Sequence, residues 1–123
     1  MKEDWETNPP VDMEEALEIV DGDDELLKEI FDDFLEDYPD ALAKIKEAVL
    51  MSDADSLYSM AHKLKGMLKN VGANTASIIA SELEGMGKKQ DLSRAGETLK
   101  RLDEVCKGLR SFIQQMKDRK NTF

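Results

Sequence analysis

The chain contains one histidine, His62, in the run Ala61-His62-Lys63-Leu64-Lys65-Gly66. A neutral imidazole is a good nucleophile, and its ordinary pKa of ~6.5 leaves most of it unprotonated at physiological pH. From Ser56 to Val71 the apolar residues Leu57, Met60, Ala61, Leu64, Met67, Leu68 and Val71 recur at helical spacing. At about 100° per residue they form a stripe roughly 120° wide. His62 projects almost opposite that stripe, with Tyr58, Ser59, Lys65, Gly66 and Lys69 close by on the same face. An imidazole at the centre of a solvent face, flanked by two lysines and a position with no side chain, suits docking and reaction better than packing.

Several helices must hold that face in place. Asp12 and Glu15 fit a capping pattern for a first helix ending near Gly22. Asp23 or Asp24 starts a second, with Leu26, Leu27, Ile30, Phe31, Phe34 and Leu35 inward. Proline suits a first helical turn, so a short break at Tyr38 and a third helix from Pro39 are predicted, with Leu42, Ile45, Val49 and Leu50 as its stripe. Ser52-Asp53-Ala54-Asp55 reads as a turn and N-terminal cap for the histidine helix, which stops near Gly72. Asn74 begins a helix through Ile78, Ile79, Leu83 and Met86, weakened near its end by Gly85 and Gly87. The last helix runs from about Leu92 to Met116 along Leu99, Leu102, Val105, Cys106, Leu109, Phe112, Ile113 and Met116. Strand signals are absent. The expected fold is all-α: an antiparallel four-helix bundle with an extra short N-terminal helix.

Residues 1–10 are polar and end in Pro9-Pro10, which reads as a flexible N-terminal arm. Residues 11–118 form the bundle in this reading, and 119–123 a C-terminal tail. Trp5 either packs back on the body or sits loosely in the arm. The start at Met1 favours a complete chain.

At 123 residues one domain can bury an ordinary core without metal or disulfide support. Acidic residues outnumber basic ones by 27 to 17, giving a formal net charge of −10, and the basic residues are dispersed. Nucleic acid and anionic membrane surfaces are therefore poor partners. No apolar run approaches the ~20 residues of a spanning helix, and Met1-Lys2-Glu3-Asp4 is no secretion signal. The single Cys106 cannot form an internal disulfide, and its place on the last helix's stripe marks it as an inert core thiol. One histidine and one buried cysteine make no metal-ligand cluster. No phosphate-binding loop or glycine-rich nucleotide fingerprint occurs. A cytoplasmic monomer without a resident cofactor, and not an enzyme with turnover, is the expectation.

His62-x-Leu64-Lys65-Gly66 followed by Asn70-x-Gly72-Ala73 is similar to the signature of histidine-containing phosphotransfer (HPt) domains of two-component phosphorelays. The resemblance extends over roughly residues 11 to 116. Val11-Asp12-Met13-Glu14-Glu15-Ala16-Leu17 looks like the family's first helix. Leu26-Leu27-Lys28-Glu29 through Phe34-Leu35-Glu36-Asp37 looks like its second, and Ser52-Asp53-Ala54-Asp55-Ser56-Leu57 like its turn into the histidine helix. The sequence departs from the pattern at Met67-Leu68, where members commonly carry small residues. Both face the apolar side, so altered packing with unaltered chemistry is expected.

The resemblance implies that His62 is a phosphoryl acceptor. The group would arrive from an aspartyl phosphate on a response-regulator receiver domain, which brings its own Mg²⁺, and would leave to another receiver. A hybrid histidine kinase is a further implied partner, and direct phosphorylation by a kinase is a variant. Phosphoryl transfer passes through a loose, in-line transition state governed by positioning and charge. Lys65 can reach phosphoryl oxygens as a point charge, and Lys69 adds local positive potential. Both lysines would oppose protonation of His62. Gly66 costs about 1 kcal/mol relative to alanine inside a helix, and in return gives a partner close access to the imidazole. Asn70 is expected to support the helix end. Tyr58 and Ser59, with part of the first two helices, are candidate partner contacts. The competing reading is a non-catalytic helical adaptor that binds a receiver or kinase without being phosphorylated.

Overall fold

The computed structural model describes residues 9–118, so the reading of Trp5 lies outside the described residues. Five helices follow in order: α1 (Met13–Ile19), α2 (Asp24–Leu50), α3 (Ala54–Asn70), α4 (Asn74–Lys89) and α5 (Ala95–Asp118). The described residues contain no strand. Short connections make α2 to α5 run antiparallel. Each packs on the next, α5 closes the ring against α2, and α1 lies on α2. This is the expected four-helix bundle with a short extra helix.

Local chemistry explains where the helices begin. Asp12, Asp23 and Asp53 each accept a hydrogen bond from the backbone N–H three residues on, at 3.0, 3.0 and 3.1 Å. Each thereby satisfies a donor that the first turn leaves without a helical partner. Asp53 also accepts from the Ser56 hydroxyl at 2.7 Å. That bond and the Ser56 N–H hold its carboxyl below the usual carboxylate range.

Gly72 ends α3 in the left-handed region at φ +72°, where a side chain is strained. It also gives space to the N-terminal segment. The Asp12 N–H donates to the Gly72 carbonyl at 2.9 Å, and a Cβ on Gly72 would lie 2.9 Å from the Asp12 carbonyl oxygen. The turn after the histidine helix is thus tied to the start of α1.

One expected boundary is absent. The chain does not break at Tyr38, and no third helix begins at Pro39, because α2 runs 27 residues through the proline. An internal proline costs about 3 kcal/mol by removing one hydrogen bond and crowding the previous turn. Phe31, Phe34, Tyr38, Ala41, Leu42 and Ile45 span that point on one buried face, and burial of each large apolar side chain contributes about 1.5–3 kcal/mol. Phe34 and Tyr38 stack with ring centroids 5.0 Å apart. Pro39 itself is exposed, so water can reach the carbonyl it leaves unpaired. Packing on both sides outweighs the local cost.

The core joins Leu27, Phe31 and Ile45 of α2 to Leu57, Leu64 and Leu68 of α3, Leu83 of α4, and Leu102, Leu109 and Ile113 of α5. Cys106 is buried among them, and burial pushes its thiol up to about 12, which makes it inert. Three residues expected inside lie outside: Leu26, Leu50 and Ile78 are 41%, 87% and 60% exposed. Leu26 and Leu50 sit in the terminal turns of α2, where the core runs out. Ile78 is rotated 100° from the buried Ile79 onto the solvent side of α4. The last helix starts at Ala95, three residues later than expected.

Candidate functional site

Helix α3 places its apolar stripe inward through Leu57, Ala61, Leu64 and Leu68, all fully buried. His62 therefore emerges on the opposite side with its side chain 63% exposed. Tyr58, one turn earlier, lies nearly parallel to the imidazole, with centroids 6.3 Å apart and planes 19° apart. Ser59, Gly66 and Lys69 are exposed on the same face. Nothing beyond the helix's own backbone would lie within 4 Å of a Cβ on Gly66, so the glycine opens space beside His62.

Glu84 on α4, which the sequence reading did not single out, organises this face. Its Oε2 lies 2.7 Å from His62 Nδ1, and its Oε1 accepts from Lys65 Nζ at 2.5 Å. The carboxylate is only 12% exposed and Lys65 21%. The Lys65 hydrogen bond is the largest influence on Glu84; together with the His62 contact it overcomes burial and holds the carboxyl below its usual range. An ionised carboxylate can only accept, so Nδ1 must donate. In the neutral ring the free lone pair is then on Nε2, which points away from Glu84 by the geometry of imidazole.

The structure thus brings His62, Lys65 and Tyr58 together and leaves Lys69, Ser59 and Gly66 open on the same face. It places the Lys65 ammonium on Glu84, so the charge of this lysine is already paired with a carboxylate. The only sequence feature that sets Glu84 apart is its place four residues after Ala80 and three before Gly87, at the border of the apolar face of α4. Its partners lie 19 and 22 residues away, a pairing that helical periodicity cannot supply.

One glycine sets the approach of α4 to α3. Gly87 on α4 is buried, and a Cβ there would lie 2.7 Å from Tyr58 N and 2.8 Å from the Ala54 carbonyl oxygen. Read from sequence as a weak point of its helix, Gly87 is where α4 crosses the first turn of α3. On the other flank, Ile30, Asp33, Phe34, Asp37, Met67, Asn70 and Val71 line a groove of about 160 Å³ between α2 and α3. Met67 is half-buried there and Leu68 fully buried, so both face the apolar side as expected. Among the described residues no cluster of His, Cys, Asp and Glu could hold a metal ion, and no helix is long and apolar enough to cross a membrane.

The fold and the site define a helical bundle that presents a single, oriented histidine on its surface. The family model of the Hpt domain matches residues 29–118, and the chain belongs to that family of histidine phosphocarriers of two-component signalling. The crystal structure of histidine-containing phosphotransfer protein B (HptB) from Pseudomonas aeruginosa PAO1 is similar, with a TM-score of 0.84 and 23% sequence identity. The match covers 91% of this chain and 97% of that one, and shows that the two share a fold. No curated protein sequence matches the chain.

Proposed function

We propose that the chain is a phosphorelay intermediate that accepts a phosphoryl group on His62 from a receiver-domain aspartyl phosphate and passes it to another response regulator. The observation that supports this most is the Glu84 contact: with Nδ1 committed at 2.7 Å, the nucleophilic lone pair faces outward at Nε2. Nε2 attacks the phosphorus in line. The N–P bond forms as the bond to the receiver's aspartate oxygen breaks, and the electron pair leaves with that carboxylate. The Nδ1 proton stays in place, so the ring gains positive charge that Glu84 offsets. Transfer onward is the reverse step with a second receiver's aspartate as acceptor.

Lys65 and Lys69 put positive charge on the face where the phosphoryl group arrives, Gly66 leaves room for the receiver, and Tyr58 and Ser59 meet it. The chain works as a cytoplasmic monomer without a resident cofactor, and the receiver supplies the Mg²⁺. To test this, the purified protein and His62→Gln are incubated with a panel of phosphorylated receivers and their intact masses measured. One acid-labile, alkali-resistant phosphoryl group, absent from the variant, is expected. Tight binding to a receiver with no transfer would favour the adaptor instead.

A further inference from the structure

The side of α4 turned away from His62 is surface that the phosphoryl chemistry leaves unused. Glu82 and Met86 each stand two residues from Glu84, so they lie about 200° round the helix from the carboxylate that meets His62. Both line a groove between α4 and the start of α5. It holds two adjoining cavities, of about 380 and 300 Å³, that share Glu82, Met86 and Arg94. Ser81 and Gly85 put little side chain on its α4 wall. Ile78, 60% exposed, extends that wall by one turn on the same side of the helix. From Ile78 to Lys89 the wall runs roughly 16 Å, about three helical turns.

The charges along this groove are unequally engaged. Glu82 accepts from Arg101 at 3.2 Å, and Asp91 accepts from the N–H and hydroxyl of Ser93 at 3.2 and 2.8 Å. Glu97 is the lining acid left without such a bond. Against it, Lys88 and Lys89 end α4 exposed to water. Arg94 is exposed as well, and its guanidinium has neither a hydrogen bond nor an ion pair among the described residues. In a chain of net charge −10, this is cationic surface beside the apolar side chains of Met86 and Ile78. Such a wall complements an acidic partner and repels a basic one. A trough between two helices suits a third helix laid along it.

We infer that the α4–α5 groove docks an acidic amphipathic helix of a partner protein, its apolar row on Ile78 and Met86 and its carboxylates on Lys89 and Arg94. The occupied groove leaves His62 open, so the chain is tethered to one protein while its histidine face serves another. This does not depend on what phosphorylates His62.

The full chain, ¹⁵N-labelled, is titrated with a helical peptide of about 14 residues, roughly four turns, built from Leu, Ala and Glu. The same peptide with Lys in place of Glu is the control. Amide shifts are expected around Ile78, Met86 and Arg94 and not around His62, with the Lys peptide bound at least about tenfold more weakly. Affinity for the Glu peptide falls as salt is raised. Arg94→Glu and Ile78→Asp, both at exposed positions, each weaken it about tenfold with an unchanged circular dichroism spectrum. Labelling of His62 by potassium phosphoramidate, a small donor that needs no receiver, keeps its rate within about twofold at saturating peptide, as for independent sites. No shifts up to millimolar peptide, equal affinity for both peptides, or shifts centred on the α2–α3 groove overturn the inference. So do concentration-dependent shifts at these residues without peptide, which would make the groove an interface between two copies of this chain. If the peptide binds as expected while no receiver phosphorylates the protein, the relay reading fails and the docking site stands.

Discussion

Helix α3 is held between two unlike neighbours. Toward α4 the contact is close and polar: Gly87 lets the backbones approach, and Glu84 reaches across to Lys65 and His62. Toward α2 it is apolar and open, with Ile30, Phe34 and Met67 around a groove of about 160 Å³ rimmed by Asp33 and Asp37. Burial strengthens electrostatic contacts on the first flank and fixes one geometry. The second flank tolerates repacking, because Met67 is flexible and the groove is not filled. In the proposed relay the α4 flank sets the chemistry of His62, and the α2 flank is the looser of the two.

The largest difference between the flanks is expected at glycines. Gly87→Ala drives a methyl group into the backbone of Tyr58 and Ala54, so we expect a loss of about 2–3 kcal/mol in urea unfolding, as for other overpacked sites. A stable variant with unchanged labelling of His62 would show that the α4 crossing does not set the site. Next in size, Glu84→Ala should slow phosphoramidate labelling about tenfold, as loss of a network partner does, while Met67→Ala leaves it unchanged within twofold. Equal effects from the two flanks would remove the distinction.

Gly66→Ala should act in the opposite sense to Gly87→Ala. Nothing crowds that position, so thermal unfolding should show a gain of about 0.5–1 kcal/mol. Small-donor labelling should persist, whereas transfer from a receiver falls because the methyl group occupies the partner's space. The smallest effect concerns acid. Glu84 is held below its usual range, first by Lys65, so its ion pair contributes stability above the unfolded carboxylate's pKa of about 4.3, and that contribution is lost as pH falls through the lower folded value. Glu84→Ala should consequently flatten the acid limb of the stability curve below about pH 4 and leave its slope near neutrality unchanged.

Much of this was legible in the chain because it is local. Asp12, Asp23 and Asp53 announce helix starts by their own side-chain bonds three residues away, and the stripe through Leu57, Ala61, Leu64 and Leu68 puts His62 outside by periodicity alone. Pro39 misled because its local cost is visible in sequence, whereas the buried face that outweighs it belongs to the whole bundle. Glu84 went unnoticed for a related reason. An acid at the edge of an apolar stripe looks like any solvated side chain until a neighbouring helix is known to bring a histidine and a lysine to it.

The role proposed for Glu84 requires one ring nitrogen of His62, Nε2, to take the phosphoryl group. The protein would be labelled with phosphoramidate, and the attachment point read from ³¹P and ¹H–¹⁵N spectra before and after Glu84→Ala. A single phosphoryl group on Nε2, formed more slowly in the variant, is the predicted result. A phosphoryl group on Nδ1, or labelling of His62 indifferent to the loss of Glu84, would contradict the claim that the α3–α4 contact orients the nucleophile.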